Sequence, residues 1–164
     1  MTEAEPAPTR ELNSHIEFRE AACALVRGAR LQLNILTYAF EREIYGHPDF
    51  VQAVQKLATQ HARARVRILI HSPDWASRSG HRLVELARRL SSFIELRELN
   101  EQDKQLTGEV LIADENALLY RESPDTMQAR YFPDDPRQAS PWLRRFEGLW
   151  TGGEIVQGLR RLNT

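Results

Sequence analysis

Cysteine is almost absent from these 164 residues, and one thiol excludes both an intramolecular disulfide and a zinc site built from cysteines. That residue, Cys23, lies in Ala21-Ala22-Cys23-Ala24-Leu25, where it reads as a small buried hydrophobe on a helix. No apolar run approaches the roughly 20 residues of a membrane span, and the N-terminus lacks the basic-then-apolar order of a signal peptide, so a soluble, cytoplasmic protein is expected. An excess of charge is missing too. With 22 basic residues against 23 acidic ones, nothing draws the whole molecule to nucleic acid or anionic lipid, and nucleic acid is not an expected partner. No internal repeat is present. His71, Asp74 and His81 match no standard ligand spacing, so neither a metal nor another cofactor is expected.

What is present fits one core. Met1 to Leu12 is polar and Pro-containing without periodicity, which predicts a disordered tail, followed by a single domain over residues 13–164. Asn13 or Ser14 can cap a helix carrying Ile16, Phe18, Ala22, Leu25 and Val26, with Glu17 completing a capping box and Gly28 available in the left-handed conformation at its end. Strand-like runs (31–40, 62–70 and 93–99) then alternate with helical patterns (50–61 and 79–90), the order of a sheet with helical crossovers. Asp114-Glu115-Asn116 reads as a tight turn between two strands, which makes the sheet mixed. Trp142, Phe146 and Trp150 recur every four residues, a helix face suited to packing on that sheet.

The order of these elements carries a resemblance. Leu31 to Phe40 ends in Thr37-Tyr38-Ala39-Phe40; Ala62-Arg63-Ala64-Arg65-Val66-Arg67-Ile68-Leu69-Ile70 follows a helix; Phe146-Glu147-Gly148-Leu149-Trp150 closes the chain. Together they resemble a single half-domain of the phospholipase D superfamily, covering roughly residues 13 to 162. The resemblance implies an α/β fold, a mixed β-sheet flanked by helices on both faces. It also implies a motif, His-x-Lys followed by four residues and Asp, whose positions here hold Thr107, Glu109 and Asp114. Only Asp114 matches, and it equally suits turn chemistry. The family's downstream Gly-Ser-x-Asn is matched weakly by Ser123 and Asp125.

In that family a histidine attacks phosphorus, a second histidine protonates the leaving group, and lysines hold the phosphoryl oxygens. Thr107 has no base at hand in the sequence, and Glu109 would repel a phosphoryl charge by roughly 4 kcal/mol at about 4 Å where lysine would attract it. A catalytically inactive module that binds a protein partner or an anionic small ligand is therefore expected, with no catalytic residues. A divergent phosphodiesterase or hydrolase, and a nucleic-acid-binding relative of half-domain nucleases, are the alternatives. His71 follows the C-terminus of a strand, where such sheets form clefts, Asn34, Thr37 and Tyr38 come from the first strand, and these four join Thr107, Glu109, Asp114 and Ser123 as candidate cleft residues. The loop His71-Ser72-Pro73-Asp74-Trp75 more simply reads as a turn and helix start. Arginines at 63, 65, 67, 78, 82, 88, 89, 144, 145, 160 and 161 interleave with carboxylates, the mark of a solvated mixed surface. Half-domains of the family pair about a twofold axis, so the resemblance implies a homodimer.

Overall fold

The computed structural model describes residues 8–71 and 81–155 of the chain. Its first helix, α1 (His15–Gly28), starts at the expected cap in a variant of the capping box: Ser14 Oγ accepts from Glu17 N at 3.1 Å, while Glu17 Oε1 accepts from the N–H of Asn13, one residue before the cap, at 3.1 Å. Gly28 is the last helical residue, and the chain leaves through an extended Ala29 (φ −71°) with no left-handed step. Next come β2 (Gln32–Thr37), the single-turn helix α2 (Arg42–Tyr45), α3 (Pro48–Thr59), β3 (Arg65–Ile70), α4 (Arg82–Arg89) and β4 (Ile94–Glu98). A short 3-10 turn (Glu101–Asp103) leads into the antiparallel run β5 (Glu109–Ala113), β6 (Ala117–Arg121) and β7 (Ala129–Phe132). The chain then forms α5 (Pro136–Gly152) and β8 (Glu154–Ile155).

One correction falls at the N-terminus. Arg10–Leu12, expected within the disordered tail, forms β1, pairing antiparallel with β7 so that Leu12 lies opposite Ala129 and is buried. A three-residue strand has no periodicity to read, and its stability comes from a partner more than a hundred residues away. The rest of the predicted tail, residues 1–7, lies outside the described residues. The predicted helix start at Ser79 and the loop residues Ser72, Pro73, Asp74 and Trp75 also lie outside them, as do Arg78, Arg160 and Arg161.

The strands form one sheet in the order β1-β7-β6-β5-β2-β3-β4-β8. Its centre is parallel (β2, β3, β4), made so by the α3 and α4 crossovers, and its flanks are antiparallel, the tight turn at Asp114 dictating this for β5 and β6. Leu33, Ile35, Leu111 and Ala113 face a layer formed by α1 to α4. Leu36, Leu69, Val110 and Ile112 face α5, through Phe146, Leu149 and Trp150. The fold is thus an α/β mixed sheet with helices on both faces, and the aromatic stripe of α5 packs against it. Eight strands span about 34 Å and one helix covers about 10 Å of that width, so α5 leaves part of its face open. A cleft of about 530 Å³ lies there, over β1, β7 and β6, and Tyr120, Trp142, Glu11, Glu122 and Arg130 are among the residues that line it.

Candidate functional site

Antiparallel pairing of β2 with β5 places Leu36 opposite Val110 and therefore brings the end of β2 beside the first residue of β5, Glu109. Strand alternation puts Glu109 on the same face as Leu111 and Ala113, so its side chain enters the apolar layer beneath α1 to α4 and is only 3 % exposed. There it accepts three hydrogen bonds. Thr37 Oγ1 and Tyr38 N donate to Oε1, each at 3.1 Å, and Tyr45 Oη donates to Oε2 at 2.7 Å. The Thr37 hydroxyl in turn accepts from Phe40 N at 3.0 Å, holding Phe40 at a positive φ of 50°. Burial pushes the Glu109 carboxyl up to about 7 against the pull of those three bonds, and the neighbouring Glu41 adds to the rise. Burial, then the charge of Glu109, holds the Tyr45 phenol well above its ordinary range.

Across the β5–β6 pair stands Arg121, itself buried. Its guanidinium donates to the carbonyls of Thr126 at 2.6 Å and Pro124 at 2.9 Å and lies 3.5 Å from Glu41 Oε1. The cation nearest to Glu109 in the sheet register is thus committed to the 122–126 turn. In the same turn Ser123 Oγ accepts from Asp125 N at 3.1 Å.

The predicted cleft residues divide. Thr37, Tyr38 and Glu109 are bonded together, and His71 is next to them: its N–H donates to Thr37 O at 2.9 Å and its ring tilts against Tyr38 at 4.6 Å. His71 Nε2 meets Lys104 O at 2.5 Å, while Lys104 Nζ bonds His71 O and Glu98. This arrangement ties the 3-10 turn to the end of β3. Thr107 is half-buried two residues before Glu109, whose carboxylate is turned to Thr37, Tyr38 and Tyr45. Asp114 is at the far end of β5, five strand residues or about 17 Å from Glu109. Held at φ 52°, it accepts from the backbone N–H of Arg30, Leu31 and Gln32 at 3.0 to 3.1 Å and so anchors the start of β2. Asn34 faces α5 on the other side of the sheet, where its Oδ1 accepts from Arg67 Nε at 2.7 Å and Arg67 also pairs with Glu147. Among the described residues no three His, Cys, Asp or Glu side chains are grouped as a metal site would need.

Two residues of this cluster escaped the sequence analysis. Arg121 was within reach, because a tight turn pairing Ala113 with Ala117 puts position 121 opposite position 109. Tyr45 was not: it lies 64 residues from Glu109 on a four-residue helix with no periodicity of its own.

The topology is that of a phospholipase D-like fold. Its sheet superposes on that of a phospholipase D family member, Nuc from Salmonella typhimurium, with a TM-score of 0.65 at 19 % identity, covering 92 % of this chain and 98 % of that one. NucT from Helicobacter pylori gives 0.62 at 14 %, covering 90 % and 98 %. TrmBL2, an archaeal chromatin protein whose structure shows a novel mode of DNA binding, gives 0.67 at 17 %, with 95 % of this chain spanning only 56 % of that protein. The chain belongs to the family described as a domain of unknown function, DUF7931, whose profile matches residues 14–162. No curated protein matches it.

Proposed function

We propose that this domain is a non-catalytic phospholipase D-like module, an accessory or regulatory unit that acts by binding. The observation that carries the reading is the state of Glu109. At the position where the family resemblance calls for a phosphate-holding lysine, the chain has a carboxyl group buried in an apolar layer and bonded to Thr37, Tyr38 and Tyr45. A group so placed neither attracts a phosphoryl oxygen nor has a free face to present to one. Thr107 is no substitute nucleophile, since a hydroxyl needs an adjacent base and the adjacent carboxylate is turned inward.

The purified protein is accordingly expected to leave phosphatidylcholine, cardiolipin, single- and double-stranded DNA and a chromogenic diester intact. Turnover above buffer that is abolished in Thr107→Ala would instead establish a divergent phosphodiesterase. The nucleic-acid-binding reading draws on the fold shared with TrmBL2, but a net charge of −1 and arginines paired with Glu85, Glu95 and Glu147 weigh against it.

The module is expected to work as a homodimer, because the family resemblance implies half-domains that pair about a twofold axis, and apolar surface kept for such a joint would be costly to leave in water. Light scattering over a concentration series checks this, and a mass that stays near the 18.9 kDa of one chain would count against it.

A further inference from the structure

The part of the sheet that α5 leaves open carries a patterned surface. Register places Tyr120 of β6 opposite Arg130 of β7, and Arg130 opposite Glu11 of β1, so one row of side chains crosses three strands. Leu118 and Phe132, themselves opposite each other, belong to the core beneath α5, and strand alternation puts Tyr120 and Arg130, two residues from them, on the same face. Two residues further along each segment, just past the strand ends, Glu122, Gln128 and Asn13 continue the pattern and line the same cleft of about 530 Å³. The sheet thus offers two rows of side chains roughly 7 Å apart, each about 10 Å long. From above, α5 contributes Gln138 and Trp142, one turn apart, and the Trp142 ring meets that of Tyr120 at 5.2 Å and 38°.

The polar groups of this cleft have no partners within the protein. Among the described residues, the side chains of Glu11, Asn13, Glu122, Gln128, Arg130 and Gln138 make no hydrogen bond or ion pair. Glu11 and Arg130 stay apart although they face each other across β1 and β7, where opposite charges ordinarily pair. Elsewhere on the surface such groups do pair, as at Glu85 with Arg88, Glu95 with Arg97 and Glu147 with Arg67.

Charge narrows the class of ligand. Glu11 and Glu122 oppose a phosphate or any other anion, while Arg130, on the strand between them, and Arg145, 4.9 Å over the Trp142 ring, oppose an organic cation. A wholly apolar ligand would strip water from the amides, carboxylates and guanidinium and give nothing back. A nucleobase is best held in a slot between parallel rings, and here the two rings lean on each other. What suits the cleft is a neutral ring bearing hydroxyls. Each hydroxyl donates one bond and accepts others, which planar amides, carboxylates and a guanidinium supply together, and the C–H face of such a ring packs on an aromatic one.

We propose that the cleft between α5 and β1, β7 and β6 is a carbohydrate site, which takes a neutral pyranose with its C–H face on the Tyr120–Trp142 pair and its hydroxyls bonded to Asn13, Gln128, Arg130 and Gln138. Its volume of about 530 Å³ falls within the roughly 300–1,000 Å³ of small-molecule sites. It lies across the sheet from Glu109, so it stands whether or not the domain hydrolyses a phosphodiester.

The full chain is screened on an array of neutral and acidic glycans, and the best neutral glycan is titrated as a free oligosaccharide by calorimetry, beside inorganic phosphate, choline and adenosine as probes of the other classes. The neutral glycan is expected to bind with an affinity that added salt leaves unchanged, and to shift the backbone amide resonances of Gln128, Arg130 and Trp142. Trp142→Ala is expected to weaken it at least tenfold, and Gln128→Ala and Gln138→Ala about two- to tenfold each. The last two side chains are exposed and unbonded, so lost binding in those variants is not a folding defect. Failure of every neutral glycan to bind, tighter binding of phosphate, choline or adenosine, or an affinity untouched by Gln128→Ala and Gln138→Ala would overturn the proposal.

Discussion

Lysine at position 109 is expected to destabilise the domain severely and lower its unfolding midpoint. The substitution Glu109→Lys supplies the residue that the family resemblance implies for this position, yet the surroundings suit an acceptor. Three donors converge on this point, the hydroxyls of Thr37 and Tyr45 and the N–H of Tyr38, and an ammonium group accepts from none of them. The charge would also be buried without a free counter-ion, because Glu41 is held between Arg121 and His15. Leaving a charge in that state costs about 3–5 kcal/mol, a large fraction of the stability of an ordinary domain. Urea denaturation followed by far-UV circular dichroism measures it. A Glu109→Lys protein with the wild-type midpoint would show that the side chain escapes to water and that the site is more open than its bonding implies.

Alanine at Gly108 should be nearly as damaging, for a different reason. A methyl group there would stand 2.6 Å from the carbonyl oxygen of Arg121 and 3.0 Å from that of Glu122, both backbone atoms that only move if β6 moves. The clash falls where β5 first pairs with β6, one residue before Glu109, so relief would draw the carboxyl away from Tyr45 as well. A loss of about 3 kcal/mol is expected for Gly108→Ala, at the upper end for overpacking. Gly148→Ala is the matched contrast. Gly148 lies within α5 with nothing within 4 Å of the added carbon, so the same change should raise stability by about 0.5–1 kcal/mol through helix propensity alone. Equal midpoints for the two variants would refute the close approach of the strands.

The alternation of apolar runs and helical patterns, and the tight turn at Asp114, were enough to expect a mixed sheet with helical crossovers, because crossover and turn lengths decide which neighbours run parallel, and the family resemblance added helices on both faces. The α1 capping box and the α5 aromatic stripe were equally readable, since each is a local spacing rule satisfied within a few residues. β1 and Tyr45 were not, because each owes its place to a partner across the chain.

The candidate site shows the same division. The family resemblance read from the sequence implies that Thr107 and Glu109 occupy the positions of a nucleophile and a phosphate clamp, and the sequence alone determined that a strand turns at Asp114. Only the tertiary structure decided that Glu109 points into the apolar layer, that Asn34 lies on the other face of the sheet, and that Asp114 closes the start of β2 with three backbone bonds. Those outcomes depend on strand register. A shift of one residue reverses the face of every side chain, and register is set by the summed packing of all the elements and by no single one of them.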